Sequence, residues 1–365
     1  MEFSGVRVLV LGDVMLDHYI SGRVRRISPE APVPVACVRK RWTVPGGAAN
    51  AARNLARLGV GVELVGLAGR DEAGEALRRE LAAEGIGDGL VYSAARGTTR
   101  KTRIIAQGQQ LLRLDEEEIV PPRPEESALL REKVLERLPG CGALVLSDYG
   151  KGVLLDGADG HSLCAPVIAA ARERGIPVLV DPKAGSGALC RAQCVTPNSA
   201  EFALACGLEA GDSPDQRERE SLAAALRERH GLERLLLTRG PKGMALFSPD
   251  RPPRYIRAAV REVADVSGAG DTVIATLAAC VAKGLDWEES ALVANTAAGV
   301  VVGKPGTAPV ALRELNLALR ENADNPKLYS PARSAGKTGR SGGAETRASC
   351  SPTAASTCSI PATFP

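Results

Sequence analysis

The chain is poor in the residues that several functions need. Aromatic side chains occupy 3% of its 365 positions, too few for the stacking platforms of a single-strand nucleic-acid binder. A surplus of one charge is missing as well: 46 basic against 43 acidic residues leave +3, which is no basic field for a polyanion. Nucleic acid is thus not an expected partner. The three histidines, His18, His161 and His230, are scattered, which argues against a histidine metal site or a histidine-based triad. Nine cysteines occur without a CxxC pair, and Cys141, Cys164, Cys206 and Cys280 sit singly in apolar runs. That is the pattern of reduced thiols in a cytosolic protein rather than of a disulfide framework. No apolar run reaches the length of a membrane span, and Arg7 and Gly12-Asp13 interrupt the first one before it reads as a leader. The expectation is a soluble, cytoplasmic protein without a membrane partner.

What is present is an alternation of buried strands and helices. Apolar runs at Val6 to Leu11, Val62 to Leu67, Ala143 to Leu146, Pro177 to Val180, Cys194 to Thr196 and Leu235 to Thr238 alternate with helical stretches such as Gly74 to Glu84, Ala165 to Arg174 and Ser221 to Arg229. This predicts an α/β fold with a mostly parallel sheet. Two segments break the pattern. Ile27 to Val44 is extended and punctuated by Pro29, Pro32 and Pro34, and Thr98 to Asp115 interleaves Arg100, Lys101, Arg103 and Arg113 with aliphatic residues around Gly108. Proline is excluded from central ladders, so both segments are expected in a projecting flap of edge strands. Its charges would then be either solvated edge charges or contacts to an anionic substrate.

The polar clusters that follow the strands carry the chemistry. Asp13, Asp148-Tyr149-Gly150-Lys151-Gly152, Asp181-Pro182-Lys183, Pro197-Asn198-Ser199-Ala200-Glu201 and Arg239-Gly240-Pro241-Lys242-Gly243 each stand where a strand ends. Parallel sheets bind ligands at the carboxyl ends of their strands, so these groups should converge on one crevice. Toward the C-terminus, Asp265-Val266-Ser267-Gly268-Ala269-Gly270-Asp271-Thr272 runs into the helical pattern Val273 to Lys283. Its glycines admit a ligand to the backbone, and the helix start turns N–H groups and a positive dipole end toward an anion. A carboxylate beside bound phosphate is repelled unless it takes a proton or holds a cation, so Asp271 reads as the general base of a phosphoryl transfer. A helix-capping aspartate would use the same residues. Pro45-Gly46-Gly47-Ala48-Ala49-Asn50 opens another helix, where Asn50 offers donor and acceptor to a hydroxyl. Close helix-on-sheet packing would also want those small residues.

The Gly46-Gly47-Ala48-Ala49-Asn50, Pro197-Asn198-Ser199-Ala200-Glu201 and Gly268-Ala269-Gly270-Asp271 elements together resemble the motif set of the ribokinase-like (PfkB) carbohydrate kinases, over about residues 5 to 320. Within that family, Arg26 to Pro34, Gln109 to Asp115 and Leu146 to Gly152 are similar to the D-glycero-β-D-manno-heptose 7-phosphate kinases, which supply ADP-heptose for lipopolysaccharide. The resemblance implies an α/β domain over 1–325 with a small β lid from about 14–44 and 97–116, ATP and Mg²⁺ as cofactors, and frequent dimers through the lid. It implies that Asp271 takes the proton of the C1 hydroxyl while amides of Gly268, Ala269 and Gly270 receive phosphoryl charge. Asn198 and Glu201 would organise Mg²⁺ through water. Thr238, Arg239, Gly240 and Gly243 would hold the nucleotide, Asn295 would lie near the adenine, and a monovalent cation would bind near Asp265.

Sugar hydroxyls fall to Asp13, Gly46, Gly47 and Asn50, and the substrate's 7-phosphate to Lys151, Lys183, Arg103 or Arg113. Another sugar or nucleoside kinase, such as a ribokinase or fructokinase, remains open, as does a catalytically silent sugar-binding regulator. The segment 326–365, dominated by Ala, Ser, Gly, Thr and Pro, is expected to be disordered. Its Ala335-Gly336-Lys337-Thr338 follows no strand and lacks the P-loop's first glycine. The sequence shows no His-x-Gly-His element of a nucleotidyl-transferring domain, so the expectation is the kinase step alone.

Overall fold

The computed structural model describes residues 1–157, 162–183, 191–209, 211–212, 214–259 and 263–323; the expectations for the 326–365 tail lie outside them. In chain order the elements are β1 (Arg7–Gly12), β2 (Val14–Ile27), β3 (Pro34–Gly47), α1 (Ala48–Arg57), β4 (Gly61–Val65), β5 (Leu67–Gly69), α2 (Glu72–Ala83), β6 (Gly87–Asp88), β7 (Val91–Ser93), β8 (Arg100–Ala106), β9 (Gln109–Glu116) and α3 (Pro124–Arg137). They continue as β10 (Ala143–Ser147), α4 (Cys164–Glu173), β11 (Val178–Asp181), β12 (Cys194–Val195), α5 (Ser199–Ala205), α6 (Gln216–His230), β13 (Arg234–Thr238), β14 (Met244–Phe247), β15 (Arg254–Ile256), α7 (Ala269–Ala282), α8 (Trp287–Val301) and α9 (Leu312–Ala323).

The main sheet has the order β15-β14-β13-β12-β11-β10-β1-β4-β6. It is parallel except for β14 and β15, which join antiparallel at one edge. Strand residues alternate between two apolar layers, as a sheet covered on both faces requires. Val8, Val10, Ala143, Val145, Leu179 and Leu236 pack toward α1, α7 and α8. Leu9, Leu11, Leu144, Leu146, Val178 and Leu235 pack with residues of α3, α4 and α6 on the opposite face. No helix among the described residues is long and apolar enough to cross a membrane.

A second sheet has the order β3-β2-β8-β9. Only Asp13 separates β1 from β2, so the chain passes directly from the main sheet into the small one. The prolines sit differently from the expectation of continuous extended chain: Pro29 and Pro32 lie in the turn between β2 and β3, where Ser28 N–H donates to the Val33 carbonyl at 2.8 Å. Pro34 and Pro45 lie within β3, which is an edge strand and so needs no full ladder. The alternation of each strand sorts its side chains by face. Asp17 and Tyr19 pair in register with Lys101 and Arg103, which pair in turn with Asp115 and Arg113. One face of this sheet is therefore charged, while the other carries Leu112 and Leu114.

Helix α3 and the strands β14 and β15 are absent from the sequence reading. α3 begins on Pro124 behind a capping box with Glu126, and the only apolar stripe it buries is Leu130 and Val134, too sparse to stand out as a period.

Candidate active site

The carboxyl ends of β1, β10, β11, β12 and β13 open toward the N-terminal turns of α1 and α7. These two helices are pinned together there. Thr272 Oγ1 donates to Asn54 Oδ1 at 2.9 Å, and Asn54 Nδ2 donates to the Asn50 carbonyl at 2.9 Å. The alanines of α1 allow that approach: Ala48, Ala49, Ala51 and Ala52 are all buried. Close packing and an open ligand face are thus both served by the small residues.

Asp271 lies in the first turn of α7, whose N-cap Gly268 has φ 76° and no side-chain capping bond. The simple capping reading therefore fails for Asp271. Its carboxylate is 5% exposed and accepts from Asn50 Nδ2 at 2.5 Å and from the Tyr149 hydroxyl. Burial pushes its pKa up to about 6, against the downward pull of the Tyr149 and Asn50 bonds. A base with that value is ionised at neutral pH and still basic enough to take a proton. Asn50 keeps a buried Oδ1 with no partner, an orphan acceptor of the kind a bound hydroxyl satisfies.

The glycine nest is open. Gly270 has nothing within 4 Å of an added Cβ, and the Ala269 N–H makes only a 3.3 Å bond to the Val266 carbonyl, which a ligand oxygen can replace. Asp265 accepts from Ser267 N–H at 2.8 Å and Gly306 N–H at 3.1 Å, tying the turn to the 303–307 loop.

On the neighbouring strands, Asn198 caps α5: its Oδ1 accepts from Ala200 N–H and Glu201 N–H at 2.9 Å each, while Glu201 Oε2 accepts from Asn198 N–H at 2.9 Å. Glu201 also pairs with Lys183. Both side chains are thus engaged, and no group of three His, Cys, Asp or Glu among the described residues is arranged to hold a metal ion. Such a donor set could serve a hydrated Mg²⁺ only through its waters.

Several sequence candidates have partners within the protein. Asp13, 1% exposed, accepts from the backbone N–H groups of Tyr149, Lys151 and Val153 at 2.8, 3.0 and 2.9 Å. These three bonds tie the 149–153 loop to the end of β1. Lys183 stands with Glu201 and over the Tyr149 ring, 5.5 Å from its centroid, so it belongs to the α5 side. Lys151 pairs with Glu117 at 2.8 Å and Arg113 with Asp115 at 2.6 Å. Arg103 meets Asp17 at 2.5 Å. Asn295 donates to the Arg257 carbonyl at 2.8 Å, which fixes the chain after β15 against α8. Gly243, at φ 78°, brings its Cα to the chain at Ile256, whose carbonyl an added Cβ would meet at 2.0 Å; its glycine is explained by backbone packing. Thr238, at the end of β13, forms an isolated parallel bridge with Asn198 at the start of α5, and Arg239 begins the tight 240–242 turn beside Tyr255.

Four residues of interest carry no individual role in the sequence reading. Asp17 is a buried carboxylate, and an added Cβ on Gly46 would come 2.8 Å from its Oδ2, so Gly46 makes room for it. Lys101 bridges Asp115 and Glu117 at 3.1 and 3.0 Å. Asp181 accepts from Thr196 Oγ1 at 3.2 Å, and desolvation together with Asp271 and Glu201 raises it to about 8. Tyr149 is the fourth. A carboxylate alternating with apolar Leu16 in β2 was a usable signal for Asp17; the others become meaningful only when distant loops meet.

An α/β core with a small charged sheet and a buried carboxylate at a glycine-rich helix start is the arrangement of a phosphoryl-transfer class. The pfkB family carbohydrate kinase profile matches residues 7–313. "Bifunctional protein HldE" of Desulfatibacillum aliphaticivorans is 43% identical over 329 residues, covering 90% of this chain and 65% of that protein. The protein of the same name from Alkalilimnicola ehrlichii is 47% identical over 320 residues, covering 87% and 64%. This chain therefore spans about two thirds of the length of such relatives. Escherichia coli phosphofructokinase-2 in complex with potassium superposes with a TM-score of 0.73 at 21% identity, over 87% of this chain and 99% of that one. Arabidopsis thaliana ribokinase complexed with ribose and ATP gives 0.65 at 20%, over 88% and 99%. The chain belongs to the pfkB family of carbohydrate kinases, enzymes that phosphorylate sugars with ATP.

Proposed function

We propose that this kinase transfers the γ-phosphoryl group of ATP to the C1 hydroxyl of D-glycero-β-D-manno-heptose 7-phosphate in ADP-heptose biosynthesis. The observation that carries the reaction is Asp271, held at the mouth of an open amide nest by Asn50 and Tyr149. As the C1 oxygen attacks phosphorus, its proton passes to Asp271, the bond to ADP breaks, and amides of Gly268, Ala269 and Gly270 take up phosphoryl charge. Mg²⁺, when bound, would neutralise phosphate charge, and Asn198 and Glu201 would hold it through water. Thr238, Arg239 and Gly240 line the nucleotide side. Asp17, Gly46, Gly47 and Asn50 form the sugar side. Asp265 and the 303–307 loop would take the monovalent cation.

The choice of a phosphosugar is supported by the charged face of the four-stranded sheet. Lys101, Arg113 and Lys151 surround Asp115 and Glu117, three cations against two anions, and Arg103 lies beside Asp17. This cluster would receive the 7-phosphate, with the sheet acting as a lid. The similarity of Arg26 to Pro34, Gln109 to Asp115 and Leu146 to Gly152 to heptose 7-phosphate kinases supports the same substrate. On the opposite face Leu112 and Leu114 are 50% and 47% exposed, an apolar strip suited to a lid-to-lid dimer in the cytoplasm.

The deciding experiment measures ADP release with heptose 7-phosphate, ribose and fructose. Heptose 7-phosphate is expected to give the highest kcat/KM; turnover of the free sugars without turnover of the phosphosugar would overturn the choice and favour a ribokinase-like or fructokinase-like specificity. A second expectation concerns the α5 cap. Glu201→Gln should raise the Mg²⁺ concentration for half-maximal rate several-fold while leaving the sugar KM unchanged, and a magnesium titration of initial rates checks it. An unchanged titration would remove Glu201 from the metal side.

A further inference from the structure

We propose that Tyr149 is a positioning residue for phosphoryl transfer, its hydroxyl fixing one oxygen of Asp271 and supporting its negative charge so that the remaining acceptor positions face the sugar. The inference rests on Asp271 being the base.

A buried carboxylate needs donors, and among the described residues no arginine or lysine hydrogen-bonds this one. Its partners are the neutral Asn50 amide on α1 and the Tyr149 phenol from the loop after β10. The charged neighbours act from further away: Lys183 and Asp181 from β11 and its loop, and Asp17 from β2. Of these, Lys183 is committed to Glu201. A carboxylate offers about four acceptor positions, so two protein donors leave room for the sugar hydroxyl.

Tyr149 cannot itself be the base. Burial, and then the adjacent Asp271, hold its phenol well above the ordinary value, so it remains a donor at any working pH. It is also held on several sides. Its own N–H is fixed by Asp13 at 2.8 Å, Lys183 covers its ring, and Gly152 in the same loop presses on the Val120 carbonyl so closely that an added Cβ would lie 1.9 Å from it. A rigid donor aimed at the base costs no reorganisation during reaction.

The test is the pH dependence of kcat/KM for Tyr149→Phe, a variant that keeps the ring under Lys183. Loss of the donor makes Asp271 easier to protonate, so the acid limb is expected to move up by about one pH unit, with the KM for ATP unchanged. Placing 3-fluorotyrosine, a stronger donor, at position 149 is expected to move the limb down. A rate lowered by the same factor at every pH, or a limb that neither substitution moves, would overturn the inference. Asp271→Asn in the same assay separates the two levels. If it abolishes turnover while the Tyr149→Phe limb stays in place, only the role of Tyr149 fails; if it retains turnover and limb, the base assignment fails and the inference falls with it.

Discussion

Asp271→Asn is expected to lower turnover by about 10²-fold or more, the scale of a lost general base, while the folded protein becomes more stable at neutral pH. The two effects have one cause. Burial raises Asp271 from 3.8 to about 6, so the folded state binds this proton more tightly than the unfolded chain does. Stability contributed by this group is therefore greatest below about 3.8, falls as pH rises toward about 6, and is constant above that. The two-unit difference corresponds to about 3 kcal/mol at pH 7. An amide carries no charge to desolvate, but it accepts weaker bonds from Tyr149, so the gain is an upper value. Paired measurements of kcat and of urea unfolding at pH 7.5 check the prediction. A variant that is both slow and markedly destabilised would mean that Asp271 is structural.

The same assay has a second reading in the wild type. Since the base must be ionised, kcat/KM should fall about tenfold per pH unit below about 6, and the variant should lack that limb.

What the sequence reveals and what it hides follow a physical division. The parallel core is legible because strands buried on both faces must be continuously apolar, as at Val8 to Leu11 and Ala143 to Leu146. The glycine nest is legible because backbone approach and positive φ at Gly268 leave few alternatives to glycine. Basic residues are the opposite case. Lys151, Lys183, Arg103 and Arg113 each lie in an ion pair, with Glu117, Glu201, Asp17 and Asp115, and for all but Arg113 the partner is brought by tertiary contact. For Arg113 that partner is two residues away; for Arg103 it is 86 away. A charge in a sequence announces neither its partner nor its direction. Asn198 and Glu201 show a further ambiguity, since one local pattern serves both as a capping box and as a candidate contact to hydrated Mg²⁺. Tyr149 is legible as part of a polar cluster at a strand end, but its partner is not, because that partner lies on a helix that begins 120 residues later, and the Tyr149 to Asp271 separation is 122.

Asp13→Asn should cause the largest structural loss of any single change at the crevice. Three backbone N–H groups converge on this carboxylate, and burial raises its pKa against them. An asparagine retains one acceptor oxygen and turns an NH₂ group toward donors. At least one buried N–H is then unsatisfied, a cost of about 1–3 kcal/mol, which the relief of burying the charge offsets only in part because three backbone donors, against two side-chain donors at Asp271, are organised around this carboxylate. The 149–153 loop would loosen, taking Tyr149 from Asp271, so turnover should fall together with thermal stability. An Asp13 that instead held a sugar hydroxyl would behave differently: its loss would raise the sugar KM and leave the melting temperature unchanged. Thermal unfolding combined with sugar and ATP saturation curves distinguishes the two. A fall in melting temperature and in kcat, with nearly constant sugar KM, identifies the anchor; the carboxylate then serves the chemistry from below, through the loop that carries Tyr149.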